Sequence, residues 1–286
     1  MKIIFSRKGF DSQYGGVPSP IFDDGTLVSL PIPSRQGRPL GDITGPVGSL
    51  APLVADLTAG RLGAHTLVHL DPDLRGDSVA RRAGWRPSFG QVAAAQSHLA
   101  RQGVGPGDVF LFFGWFRQAE RRGTHWRYVP GAPDIHSLFG WLQVGNVLSL
   151  FGTPQIGSHE WLHDHPHVAF ADQMGSGNAI YIAAEALFKR RLPGAGCFVR
   201  WTPRLQLTAP GRSRSVWRLP AWMHPDVSQT ALSYHTDPRR WQLDEQSTLL
   251  QSVAKGQEFV IDVGTSALAR RWLIQLIQQH GQEDMA

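Results

Sequence analysis

Residues 6–16 read Ser6-Arg7-Lys8-Gly9-Phe10-Asp11-Ser12-Gln13-Tyr14-Gly15-Gly16, a run dense in side chains that can do chemistry. Lys8 can hold a phosphate or a developing negative charge, and Asp11 can act as a general base or orient a sugar hydroxyl. Ser6, Arg7, Ser12, Gly15 and Gly16 are candidate substrate contacts, with the Ser12 hydroxyl and the Gly15–Gly16 backbone suited to cradling phosphate. The plainer reading is a solvated loop after an N-terminal strand. His69, Asp71 and Asp73 form a second group, in His69-Leu-Asp-Pro-Asp73. They could supply an acid–base pair or a metal group. A solvated strand end, with an aspartate capping the next segment, competes with that reading. His235, in a turn with Asp237, is a further acid–base candidate.

His159, His163, His165 and His167 crowd into nine positions of the stretch that begins at Ser158. Such a run invites a metal, and equally a substrate contact or a polar helix end. His159 and His163 are spaced i, i+4, so one helical face could present both, and Pro166 ends such a helix before His167. No metal ligand is assigned from the sequence, and the cofactor is left unknown. Trp115, Trp126, Tyr128 and Trp141 are large rings in the middle of the chain, which the likeness to base-binding barrels described below implies could line a stacking pocket. Alternatively the rings fill a sheet core, the preferred reading for Trp141.

The elements that must position these groups follow from periodicity. Met1–Phe5 reads as a strand opening into the first loop, which strand ends hold rigidly. His65–Asp73 resembles the end of a parallel strand, where sites usually form. Strands are also expected over Thr26–Ile32, Asp108–Phe116, His136–Leu150, Asn178–Ala183 and Gln257–Val263. Helices are expected near 50–62, 88–102 and 266–280, the last capped by Thr265 or Ser266. About nine or ten strands with few helices and many turns indicate an α+β (mixed α/β) chain. Its sheet should be mixed, partly curled and flanked by those helices. No repeat or low-complexity linker interrupts residues 1–286, so one domain is expected, with a soft internal boundary near 103–107.

Composition narrows the classes. With 42% hydrophobic and 18% charged residues the chain is globular. A single cysteine, Cys197, excludes an intrachain disulfide and a Cys-rich metal cluster. No window approaches a membrane span, so a cytoplasmic protein without a membrane partner is expected. Net charge is +5, and of 28 basic residues only four are lysine. Arginine forks suit phosphate and stacked bases, which favours a nucleic acid or nucleotide partner, although GC-rich coding gives the same bias. Walker A, Gly-x-Gly-x-x-Gly, Gly-x-Ser-x-Gly and zinc-deaminase signatures are all missing.

Two resemblances add to this reading. Gly107-Asp108 followed by an apolar strand, and then the strand containing Gly140 and Gly145, resemble the centre of PUA-like barrels of the ASCH and EVE groups. That likeness implies a barrel portion in the middle of the chain that accommodates modified bases or RNA. Phe5–Ser12, Gly15-Gly16 with Pro18-Ser-Pro20, Ser29–Pro33, His69–Asp73, Phe113-Gly-Trp-Phe116 and Gly256-Gln-Glu-Phe259 resemble the third family of nucleotide modification associated domains. Membership implies company with systems that make or use modified DNA bases, and carries no established reaction. The leading functional expectation is therefore an enzyme acting on a base or nucleotide in a DNA-modification pathway, with Lys8, Asp11, His69, Asp71 and His235 as catalytic candidates. An alternative is a reader that holds a modified base between aromatics such as Trp115 and Trp126, with arginines on phosphate. A structural or regulatory partner protein is the third.

Overall fold

A computed structural model describes residues 1–150, 156–157, 159–175, 177–254 and 256–281. Ser158, the first residue of the histidine-rich stretch, lies outside them. In chain order the N-terminal part contains β1 (Lys2–Arg7), β2 (Ser19–Ile21), β3 (Ile32–Pro39), β4 (Thr44–Gly45), β5 (Gly48–Ser49), α1 (Leu50–Leu57), β6 (Leu67–His69), β7 (Ser88–Gln91) and α2 (Ala93–Arg101). The two long strands β8 (Val109–Arg122) and β10 (Ile135–Ser149) flank the short β9 (His125–Tyr128). Then come α3 (Pro166–Ala169), β11 (Ala179–Ala183), β12 (Ala195–Cys197), β13 (Val216–Pro220), α4 (Pro225–Ser228), β14 (Trp241–Leu243), β15 (Ser247–Gln251), β16 (Glu258–Asp262) and α5 (Ala267–His280).

Nine strands form one mixed sheet in the order β16-β1-β8-β10-β11-β7, with β12 on β10 and both β2 and β9 on β8. The architecture is α+β, as the sequence indicates. β1 runs parallel to β8 and antiparallel to β16. Ile3, Ile4 and Phe5 of this central strand are fully buried because both faces of the sheet are covered. Alternation sorts the side chains. Ile3, Phe5, Leu111, Phe113 and Trp141 join Leu273 and Ile277 of α5 on one face. Ile4, Phe110, Phe112 and Val260 join Phe89 and Leu99 on the other.

The barrel expected in the middle is corrected. β10 is paired with β8, β11 and β12, and the sheet stays open from β16 to β7 among the described residues. Register shifts at Leu138/Gly140 and Val144/Asn146 bend β10 without closing it. The helix expected over 88–102 is shorter. Ser88–Gln91 instead pairs antiparallel with β11, and α2 starts at Ala93. Phe89 fits either pattern, and the sheet partner decides. The helix expected over 50–62 ends at Leu57, where Thr58 returns its hydroxyl to the Val54 carbonyl at 2.7 Å. Ser266 caps α5, accepting from the Ala269 N–H at 3.2 Å. No described helix is long and apolar enough to cross a membrane.

Candidate functional site

The C-terminal end of β1 delivers Ser6, Arg7 and Lys8, and the Lys8 N–H closes onto the Phe113 carbonyl at 2.8 Å. Strand pairing sets Ser6 opposite Glu258 of β16. One oxygen of Glu258, Oε1, accepts from Ser6 Oγ at 3.1 Å, Lys8 Nζ at 2.9 Å and Gln91 Nε2 at 2.7 Å. The other, Oε2, is buried without a hydrogen-bond partner among the described residues. Lys8 also lies over the Phe89 ring, 4.6 Å from its centroid. A buried ammonium paired with a carboxylate and laid over an aromatic face is held in one direction.

β6 pairs with β3, placing His69 opposite Ile32, and the chain turns directly to Asp71. Asp71 Oδ1 accepts the Gly90 N–H at 2.9 Å. Its Oδ2 faces two imidazoles, His167 Nε2 at 3.4 Å and His69 Nε2 at 3.7 Å. The three ligand-type atoms lie within 4.8 Å of one another, so this trio could hold a metal. Burial alone raises the Asp71 carboxyl. The adjoining His167 and His69 imidazoles, with His165, outweigh burial and hold it below the usual carboxylate range. Gly90 makes room for the arrangement, since a Cβ there would stand 2.3 Å from His167 Cδ2.

Lys8, Asp11, His69, Asp71 and His167 all line one cleft of about 830 Å³, with Arg7 and Arg35 at its wall. That volume admits a nucleotide-sized ligand. A smaller cleft of about 320 Å³ shares Arg7, Asp11 and Gln257 with it and adds Ser12, Trp115, His136 and Arg214. The Arg214 guanidinium covers the Trp115 ring at 4.4 Å. A largely apolar cavity of about 80 Å³ behind Asp71 is too small for such a ligand.

The remaining sequence candidates lie elsewhere or are committed locally. Asp11 Oδ1 accepts the N–H groups of Gln13 and Tyr14 at 2.8 and 2.7 Å, which ties the loop into a turn. The Gly16 N–H is spent on the Asp11 carbonyl at 2.9 Å. Gly15 has φ +85°, and a Cβ there would meet the Phe10 ring at 2.2 Å, so its glycine serves packing. His235 is fully buried and lines neither cleft. Its ring nitrogens meet the Ser233 carbonyl at 2.9 Å and the Val253 N–H at 3.1 Å, and burial lowers it to about 4. Trp126 packs on Phe22, 4.2 Å between ring centroids, away from both clefts. Asp73 is clamped by Arg81 through two bonds of 2.6 Å. Trp141 is core, with Nε1 donating to the Pro193 carbonyl at 3.2 Å.

Four site residues are not legible as individuals in the sequence: Gln91, His167, Asn178 and Glu258. Glu258 sits inside the stretch Gly256–Phe259, and His167 is one of four crowded histidines. Pro166 separates the histidine run into a 3-10 turn over Glu160–Asp164 and α3. His165 and His167 consequently turn inward while His163 stays exposed.

The pattern that defines nucleotide modification associated domain 3 matches residues 2–262. The chain belongs to that family. No curated protein and no solved structure matches it. In this nucleotide modification associated domain the match spans every segment that builds the cleft, from Lys8 through His69, Asp71, Gly90 and His167 to Glu258. Among the described helices and strands only α5 lies wholly beyond it.

Proposed function

We propose that the chain is an enzyme that modifies a nucleotide or a nucleic-acid base within a modified-base pathway, and that its active centre is the large cleft beside β1. One observation carries the reading: Lys8, Asp11, His69 and Asp71, from two distant segments, line the same nucleotide-sized cavity. Arg35 and Arg7, whose guanidinium donates to the Gly256 carbonyl at 2.9 Å, supply positive charge for phosphate, whereas the Lys8 charge is already balanced by Glu258. Lys8 then fixes the floor and opposes negative charge that develops next to it. Asp11 stands at the rim between the two clefts as the group that takes a proton from a hydroxyl or water.

The test compares the DNA and nucleotide pool of a bacterial host expressing the wild type with those of a host expressing Asp11→Asn. Asparagine keeps the oxygen that accepts from Gln13 and Tyr14 and removes only the charge. A nucleoside mass gained or lost only with the wild type is the expected outcome. Identical profiles, together with no nucleotide binding by the purified protein, would overturn the proposal.

The smaller cleft supports the alternative of a non-catalytic reader. A flat Trp115–Arg214 stack beside Arg7 is a surface on which a base could rest while arginines meet phosphate. Nucleic-acid binding that survives Asp11→Asn but fails with Trp115→Ala, in the absence of any mass change, would favour the reader.

A further inference from the structure

We infer that His69, Asp71 and His167 bind one divalent first-row transition-metal ion, with at least one coordination position open to the cleft. The inference rests on reading that cleft as the functional centre, but the metal can be measured without any substrate.

Geometry comes first. Nitrogen and oxygen ligands at about 2.1 Å from a tetrahedral ion stand about 3.4 Å apart. The Asp71 Oδ2–His167 Nε2 separation is 3.4 Å and the Asp71 Oδ2–His69 Nε2 separation is 3.7 Å. The two imidazoles lie within 4.8 Å of each other, so an ion held by the carboxylate oxygen would sit between them.

Hydrogen bonding then fixes which nitrogen points inward. Asn178 Nδ2 donates to the His167 carbonyl at 2.8 Å, which turns its Oδ1 toward the ring. His167 Nδ1–H donates to that oxygen at 2.7 Å. In the neutral ring the lone pair of Nε2 is thereby directed at the carboxylate. Two acceptors facing each other at 3.4 Å need a positive charge between them, and an outer amide that sets the tautomer is a recurring feature of metal-bound histidine. Asp71 is prepared similarly, since the Gly90 N–H occupies Oδ1 and leaves Oδ2 toward the imidazoles.

His165 borders the trio without joining it. Its Nε2 is buried, has no hydrogen-bond partner among the described residues and lies 4.0 Å from Asp71 Oδ1. Its Nδ1 accepts the His167 N–H at 3.2 Å, so in the neutral ring Nε2 carries the hydrogen and cannot ligate. It flanks the carboxylate from beyond hydrogen-bond distance and is not a fourth ligand. Three protein ligands of this type leave room for water or substrate. Two imidazoles with one carboxylate suit zinc, iron or manganese rather than the all-oxygen shells of calcium and magnesium.

The experiment treats the full chain with a chelator and titrates it with Co²⁺ alone, following calorimetry and the visible spectrum. One ion per chain with a d–d band is expected. His69→Ala and Asp71→Asn should each weaken binding by at least a hundredfold, and Asn178→Ala, which keeps every ligand, by ten- to a hundredfold. A His159→Ala/His163→Ala double variant should bind like the wild type. Thermal melts of each variant identify any that fail to fold, and His69, the least buried ligand, should remain folded. Absence of stoichiometric binding overturns the site, as does binding that persists in both folded His69→Ala and Asp71→Asn, or that disappears with the double variant. Nucleotide binding measured on the same metal-free samples separates the two claims. A protein that binds nucleotide but no Co²⁺ sinks only the metal site, whereas one that binds Co²⁺ but no nucleotide, metal-free or loaded, counts against only the proposed function.

Discussion

His167 and Asp71 come from distant parts of the chain, yet His167 Nε2 stands 3.4 Å from Asp71 Oδ2 in a pocket wall shaped by Gly90. Gly90 bonds to the carboxylate through its N–H and leaves the space the imidazole fills. Gly90→Ala is therefore expected to cost about 1–3 kcal/mol by overpacking and to displace His167. Urea unfolding and the His167 ring resonances would check both effects. A variant of unchanged stability and unchanged resonances would show that the ring tolerates the methyl group.

A second prediction concerns Lys8 and Glu258, 2.9 Å apart and both buried. Lys8→Met leaves a carboxylate in the core with Ser6 and Gln91 as its remaining partners, and about 3–5 kcal/mol of stability should be lost. Lys8→Met combined with Glu258→Leu removes both charges and should recover a large part of that loss. Chemical denaturation of the wild type, the two single variants and the double variant gives the coupling. A double variant whose loss equals the sum of the two single losses would mean the pair is not coupled. For the same reason loss of activity in Lys8→Ala would be ambiguous, and Asp11→Asn is the cleaner probe of chemistry.

Much of this site is legible in the sequence because its elements are local. The strand–loop from Met1 to Gly16 and the run His69–Asp73 announce themselves by a change from apolar to polar chemistry. Pairing is what the sequence withholds. Nothing local places Glu258 opposite Ser6, or turns Gln91 from a helix into a strand beside β11. The four histidines show the same limit. Spacing groups His159 with His163, whereas the break at Pro166 sends His165 and His167 inward to Asp71. His235 and Trp126 have the right chemistry and the wrong environment, since both are occupied with packing.

Acid stability provides the third prediction. Burial lowers His235 to about 4, with Arg240 adding to the effect, while the hydrogen bond to the Ser233 carbonyl acts against it. Burial likewise lowers His136 to about 3, helped by Arg214 and Arg7, and its Nδ1 accepts from Trp217 Nε1 at 3.0 Å. Both folded values lie below the ordinary histidine value of about 6.5. Between those values the unfolded chain binds protons that the folded chain refuses. Stability is therefore full above about pH 6.5 and falls as the pH drops toward about 4. His235 alone accounts for on the order of 3 kcal/mol. Urea midpoints from about pH 7.5 to about 4.5 should decline in the wild type and decline less in His235→Gln. Parallel curves for the two proteins would remove His235 from the account.

The two candidate stacking tryptophans make the sharpest contrast. Trp115 lines the smaller cleft under Arg214, whereas Trp126 is stacked on Phe22 and its backbone N–H is bound to Asp56 at 2.8 Å. Trp115→Ala should lower affinity for single-stranded DNA by about 1–3 kcal/mol if a base rests on that ring. Its effect on stability should be modest, because the ring is only partly buried. Trp126→Ala should do the opposite: it removes an aromatic contact between the β8–β9 hairpin and the cluster around α1, so the melting temperature falls while affinity is unchanged. Fluorescence anisotropy with a labelled oligonucleotide at two salt concentrations reads both. Arginines on phosphate require affinity to fall steeply with salt. If Trp126→Ala weakens binding as much as Trp115→Ala at equal folded fraction, the base does not sit in the Arg7–Trp115 cleft.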